Sequence, residues 1–254
     1  MIRKRKGLIE WFEFSLFQDF PSVQHGVLLS RGGVSQGIYR SLNLGKSTQD
    51  SKGCVQENYE RARAVFELPV LVRAGLEHKT KLSEVVGNEG DWFGEFSDGL
   101  WTCKEDIGIM STHADCQVAL FFSPQKRLVA VLHCGWRGNR ANFYGQAVQQ
   151  LQKEKGVSPR DLLVAVGPSL GPAHAEFINY ESEWPREFWD FKVGKNHFHL
   201  WEMSRAQLQD AGVCAENIEI AGLCTYESKM DLFSYRRQRV TGRNGSFIAL
   251  RGLS

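Results

Sequence analysis

Two short apolar runs around a four-residue turn constrain this chain more than any other stretch. Gln117 to Phe122 (QVALFF) and Arg127 to Leu132 (RLVAVL) flank Ser123-Pro124-Gln125-Lys126. Proline in the second place fits a type I turn, so the pair reads as a β-hairpin. A symmetric turn would pair residues whose numbers sum to 249, which sets Cys116 opposite His133 at the hairpin's open end. Directly opposed residues of an antiparallel pair share a face, with Cβ atoms about 4.5–5.5 Å apart. From there a thiolate sulfur at about 2.3 Å and an imidazole nitrogen at about 2.0–2.1 Å can share one zinc ion. The plainer reading is a Cys and a His that merely pack together. Asp115 on one side and Gly135-Trp136-Arg137-Gly138 on the other favour a site.

Composition narrows the class. The 254 residues are 42% apolar and 24% charged, enough for a sizeable core. A net charge of +2 gives no reason to invoke nucleic acid or a membrane surface. The basic start, Met1 to Lys6, is expected to be a solvated tail. Glu10 and Glu13 interrupt the residues after it, so no signal peptide is expected. No window approaches the apolar length of a transmembrane helix. The cysteines (Cys54, Cys103, Cys116, Cys134, Cys214, Cys224) form no CxxC and are widely spread. That argues against a disulfide framework and for a reducing, cytoplasmic compartment.

Along the chain, strands are expected at Val23 to Leu29, Val70 to Ala74, Lys81 to Val86, Leu162 to Val166, Ile218 to Leu223, Leu232 to Arg237 and Ser246 to Leu250. Amphipathic helices are expected at 55–66, with Val55, Tyr59, Ala62 and Phe66 on one face, at 142–155, and at 201–211. The helix at 142–155 would start straight after Trp136-Arg137-Gly138-Asn139-Arg140. Its free N–H groups and the two arginines would make an anion site, against the plainer reading of arginines paired with surface acids. His197-Phe198-His199 would put two imidazoles on one side of a strand, read as surface or core hydrogen bonding. No repeat or linker breaks the chain. Residues 1–254 are therefore expected to form one domain of α/β (α+β) class with mixed sheets.

The motifs, in order, resemble those of the polyphenol oxidoreductase or laccase-domain family, whose members are now regarded as zinc-dependent purine nucleoside phosphorylases. The resemblance covers nearly the whole chain. It is carried by Arg31-Gly32-Gly33-Val34-Ser35, Ser41-Leu42-Asn43-Leu44-Gly45, Asp98-Gly99, Ala114-Asp115-Cys116 and His133 with Gly135-Trp136-Arg137-Gly138. It continues through Gly167-Pro168 with Gly171-Pro172, Cys224-Thr225, Phe233-Ser234-Tyr235-Arg236-Arg237 and Thr241-Gly242-Arg243. The resemblance implies a layered α/β/β/α fold and a metal held by His78, Cys116 and His133. Leu76-Glu77-His78-Lys79 stands where the family has Gln-x-His-Gly, and His113 stands where it has Thr, which makes His113 an alternative ligand or acid.

The implied reaction cleaves adenosine, inosine, guanosine and methylthioadenosine with phosphate to base and pentose 1-phosphate, with adenosine deamination at the same site. Three protein ligands would leave zinc an open position. Asp115 is the candidate proton handler or orienter of a metal-bound His. Asn43, Arg137 and Arg236 are the candidate substrate-binding residues, the two arginines for phosphate. A monomer or a homodimer is expected. Three alternatives stay open. A His, Cys, His set also suits copper, although a multicopper oxidase needs many more histidines than the seven here. A metal-free hydrolase could use Cys116 as nucleophile and His133 as base. The third is a binding module without catalysis.

Overall fold

Fifteen strands and five α-helices carry the regular structure among the described residues, 1–87, 89–229 and 231–252 of a computed structural model. The strands are β1 (Ile2–Lys6), β2 (Ile9–Glu13), β3 (Val23–Leu28), β4 (Val70–Gly75), β5 (Leu82–Glu84), β6 (Trp92–Phe96), β7 (Gly99–Thr102), β8 (Ile107–His113), β9 (Gln117–Ser123), β10 (Leu128–Cys134), β11 (Leu163–Val166), β12 (Lys192–Val193), β13 (His197–Phe198), β14 (Ile218–Ile220) and β15 (Asn244–Leu250). The helices are α1 (Lys52–Val65), α2 (Trp136–Arg140), α3 (Phe143–Lys155), α4 (Tyr180–Glu183) and α5 (Leu200–Asp210).

The larger sheet runs β1-β2-β3-β15-β8-β4-β6 and the second runs β14-β11-β9-β10-β7-β5. Both are mixed: β4 lies parallel to β6 and β8, β5 to β7 and β11 to β14, while the remaining pairs are antiparallel. The two sheets face each other across a shared core. Val118, Leu120, Phe122, Val129 and Val131 of the second sheet meet Val27, Val72, Ile109 and Ile248 of the first. The alternate residues Ala119, Phe121, Ala130 and Leu132 point the other way, onto α3 and α5. Helix α1 covers the far side of the first sheet, laying Tyr59, Ala62 and Phe66 against Trp11 and Phe247. The order of layers is thus helix, sheet, sheet, helix, as the family resemblance implies. Burial on both faces explains why β9 and β10 are continuous apolar runs rather than alternating ones.

The hairpin exists, but its register differs from the symmetric-turn expectation. Leu128 pairs with Ser123, Leu132 with Ala119 and His133 with Val118, so partners sum to 251. The connection is Pro124–Arg127, with Arg127 in left-handed backbone at φ +44°. The turn has four residues as expected but sits one residue further along the chain, which moves the pairing by two. A slide of two keeps every side chain on its face, so Cys116 and His133 remain on the same face as diagonal rather than direct neighbours.

Other elements depart from expectation for local reasons. The basic start is not a free tail: β1 is an edge strand paired to β2, with Arg3 against Glu10 and Asp231. Charges on such an edge discourage pairing with another chain. Trp136–Arg140 forms its own short helix α2, and α3 begins after it. Leu232 to Arg237 is a turn-rich segment rather than a strand. His199 is not on a strand beside His197; it caps α5, its Nδ1 accepting the Glu202 N–H at 3.3 Å. No helix among the described residues is long and apolar enough to cross a membrane.

Candidate metal centre and its two cavities

Three segments deliver His78, Cys116 and His133 to one point, with a ligand atom of each within 4.8 Å of the others. His133 is the penultimate residue of β10, and its backbone N–H donates to the Asp98 carbonyl at 2.7 Å. Cys116 immediately precedes β9. His78 comes from the loop after β4, in left-handed backbone at φ +61°, where a non-glycine residue costs roughly 1–2 kcal/mol. The Asp98 carboxylate holds that loop, accepting the His78 and Lys79 N–H groups at 2.8 Å each. Its Oδ1 also lies 3.5 Å from His133 Nδ1, and both side chains are almost wholly buried. The other ring nitrogen of His133 is thereby left toward Cys116. A carboxylate on the far nitrogen is a common support for a metal-bound imidazole.

The buried charges of Cys116, His133 and Asp98 support one another. Burial pushes the Cys116 thiol up, but the His133 and His78 imidazoles overcome it and hold the thiol well below its ordinary value. Burial pushes His133 down, and the Cys116 sulfur and Asp98 reverse it, so His133 is raised. Burial likewise pushes Asp98 up, while His133 and the two N–H groups bring it below the usual carboxylate range. A thiolate beside imidazoles is the donor set for a borderline divalent ion. Gly135 leaves room for one. A Cβ there would stand 3.2 Å from Cys116 Sγ, 3.6 Å from His78 Cδ2 and 3.9 Å from His133 Cε1. The residues present therefore fit a metal ion.

Asp115 serves another purpose than orienting a histidine. At φ +93° it forms the turn into Cys116. Its carboxylate accepts the Thr225 hydroxyl at 2.6 Å and the Arg236 backbone N–H. The carboxylate that faces a histidine of the trio is that of Asp98, which the sequence offers as part of the Asp98-Gly99 motif with no role attached. His113 is buried, its Nε2 2.9 Å from Ser246 Oγ, and burial pushes its pKa down to about 3. It stands beside the trio without belonging to it.

Two cavities of about 400 and 410 Å³ flank the centre. The first is lined by His78, Cys116 and His133, by Trp92, Phe96 and Met110, and by the cations Lys46, Arg73 and Arg243; among the described residues no carboxylate lines it. Arg73 is 4% exposed, its guanidinium 3.8 Å over the Tyr59 ring. Its Nη2 reaches the Asp91 carboxylate at 3.4 Å, while its Nε and Nη1 have no hydrogen-bond partner among the described residues. An arginine inside the apolar run VLVRAG was the available sign, because a buried charge is costly without a partner or a use. The second cavity is lined by Cys116, Asp115, Trp136, Phe177, Glu176 and Arg236, among others. Arg236 is tied to Glu176, donating to its carbonyl at 2.9 Å.

The remaining expected substrate residues fall outside both cavities. Arg137 is exposed, its guanidinium 4.3 Å over the Trp136 ring. The start of α3 is capped by Asn142, whose side chain accepts the Gly145 N–H at 3.1 Å. Asn43 is fully buried and organises a loop, accepting the Gly45 and Arg243 N–H groups and donating to Thr48 and Asp50. The Arg243 N–H joins it to a residue that lines the first cavity.

Comparison with known proteins gives consistent matches. Residues 24–251 match the family model described as multi-copper polyphenol oxidoreductase laccase. The purine nucleoside phosphorylase YlmD of Bacillus subtilis is 29% identical over 252 residues, 92% of this chain and 91% of that protein. The purine nucleoside phosphorylase YfiH of Escherichia coli is 29% identical over 229 residues, 86% of this chain and 90% of the other. The crystal structure of YlmD from Geobacillus stearothermophilus superposes with a TM-score of 0.88 at 26% identity, covering 98% of each chain.

Proposed function

We propose that this chain, which belongs to the multi-copper polyphenol oxidoreductase laccase family, is a zinc-dependent purine nucleoside phosphorylase working in its first cavity. The lining of that cavity among the described residues carries the reading: aromatic walls, three cations, no carboxylate, and the His78, Cys116, His133 trio at one edge. The names of the relatives from Bacillus subtilis and Escherichia coli support the same class. Its volume suits a small-molecule substrate.

In this reading His78, Cys116 and His133 hold Zn2+, which supplies a Lewis acid and a bound water of lowered pKa. Trp92 and Phe96 take the faces of the purine. Lys46, Arg73 and Arg243 gather phosphate, a role in which arginine's fork of donors is strong. A phosphate oxygen forms the new bond to C1′ as the bond from C1′ to the base nitrogen breaks. The electron pair leaves on the base nitrogen, which takes up the proton that hydrogen phosphate gives up, so the products are free base and pentose 1-phosphate. Adenosine, inosine, guanosine and methylthioadenosine are the substrates, adenosine deamination is a second activity, and the cytoplasm is the compartment. Arg236, pinned by Glu176, faces the other cavity and is not assigned to phosphate.

The test is product analysis on adenosine with and without phosphate, beside metal analysis of protein purified without added metal. Adenine and ribose 1-phosphate should appear only with phosphate, and inosine in either case. Cys116→Ala should abolish both reactions. Arg243→Ala should lower phosphorolysis at least about tenfold, as loss of a charged hydrogen bond does, and spare deamination. Full nucleoside cleavage by Cys116→Ala would overturn the site. Stoichiometric copper with copper–thiolate absorption would overturn the metal.

A further inference from the structure

A second trio of metal-ligating side chains lies apart from the two cavities. His174, Cys224 and Glu227 each offer a ligand atom, and these lie within 4.8 Å of one another. None of the three lines either cavity. His174 closes the turn that begins at Gly171, its N–H donating to the Gly171 carbonyl at 2.9 Å. Cys224 and Glu227 belong to the segment after β14. Backbone pairing fixes the two pieces relative to each other: Ser169 and Cys224 form a parallel bridge, with the Ser169 N–H on Leu223 O at 3.2 Å and the Thr225 N–H on Ser169 O at 3.0 Å.

We propose that His174, Cys224 and Glu227 form a second binding site for a divalent cation of the zinc class. Sulfur, nitrogen and carboxylate oxygen together are a donor set for zinc. His174 Nε2 stands 3.0 Å from Glu227 Oε1. Two ligands bonded at about 2.0–2.2 Å on a tetrahedral ion are roughly 3.3 Å apart, so the carboxylate and ring need little movement to admit one. The Gly171 N–H donates to Cys224 Sγ at 3.2 Å and fixes the position of the sulfur. That approach depends on glycine, since a Cβ at 171 would lie 3.2 Å from Cys224 Cβ and 3.1 Å from Trp201. Tyr226 stacks on the His174 ring at 4.1 Å and fixes its plane. A His–Glu ion pair alone would need no thiol beside it. Cys224 is buried while His174 and Glu227 reach solvent, so an ion arrives from outside and keeps an open side.

The site braces the segment behind the first centre. Thr225, next to Cys224, is the residue whose hydroxyl holds Asp115 beside Cys116. Arg237 holds the Thr225 and Tyr226 carbonyls at 2.6 and 2.9 Å. An ion joining His174 to Cys224 and Glu227 therefore ties the Gly171 turn to the support of Asp115.

The experiment removes the first centre and titrates the full chain with Co2+ alone. Cys116→Ser protein should still take up about one Co2+ with thiolate-to-cobalt charge-transfer absorption. In that background His174→Ala and Glu227→Gln, both at solvent-facing positions, should each weaken the uptake at least about tenfold, and Cys224→Ser should remove the absorption. Because the two surface variants leave the buried cysteine untouched, the reading does not depend on Cys224→Ser folding. A Cys116→Ser protein without the charge-transfer band would overturn the site. So would a band that His174→Ala leaves unchanged, since the thiolate would then belong to another cysteine such as the exposed Cys103.

Discussion

His78 and Asp115, at φ +61° and +93°, place strained backbone on either side of the metal trio. Such strain persists only where surrounding bonds over-determine it, and here carboxylates supply them: Asp98 clamps the His78 loop and Asp115 is itself clamped by Thr225 and Arg236. Asp98→Asn would keep a similar shape but remove the charge facing His133. It should weaken zinc binding about 10- to 100-fold, the usual effect of losing a supporting partner, as read by competition with a chelating dye. Gly135→Ala should leave the fold intact by circular dichroism but lower metal content, because its methyl would stand 3.2 Å from Cys116 Sγ. Full metal content in that variant would show that the ion sits elsewhere. The ligand types were legible in the sequence because thiol and imidazole announce their chemistry. Asp98 was not, since Asp-Gly between apolar runs has turn formation as a sufficient explanation.

At the level of elements, the hairpin shows what pattern reading resolves. Its two apolar runs fixed the strands, and parity fixed which residues share a face, but the turn's position was open. With Arg127 in left-handed backbone the turn sits one residue further along and the register moves by two, a change that hydrophobic pattern cannot detect because it exposes nothing new. Helix α3 illustrates the opposite case: its apolar face and Gly156 stop are plain in sequence, whereas Asn142, which caps it, reads there as part of an anion-binding start. Asn142→Ala should destabilise the protein by about 1 kcal/mol or somewhat more, measured by urea unfolding, and leave the phosphate KM unchanged. A raised phosphate KM at unchanged stability would restore that helix start as an anion site. Leu232 to Arg237 has the aromatics of a strand, yet its backbone donors go to side chains instead of a ladder: the Arg236 N–H to the Asp115 carboxylate and the Arg237 N–H to the Ser234 hydroxyl at 3.2 Å.

The whole molecule is held by the core between its sheets, and His25 of β3 lies at one border of it. The ring is 4% exposed, packs edge-on to Phe17 at 4.8 Å, and its Nε2 accepts the Phe14 N–H at 2.8 Å. Burial pushes its pKa down to about 4. The unfolded chain, titrating near 6.5, therefore takes up this proton first. Its contribution to stability is complete above about pH 6.5 and is lost as pH falls toward 4, ~3 kcal/mol in all. Unfolding free energies measured from pH 7 to 4 should decline, and His25→Gln, whose amide oxygen can still accept from Phe14, should flatten that decline. An equal slope in the variant would place the titration on other groups. The layers themselves were legible only through resemblance, since single runs buried on both sides do not say what covers them. Their stacking has a result that belongs to no single layer. Cys116 is the one residue that lines both cavities among the described residues. One sulfur is thus a party wall between two chambers. A molecule extended past that wall would bind as a tethered pair, its second half held at high local concentration by the first.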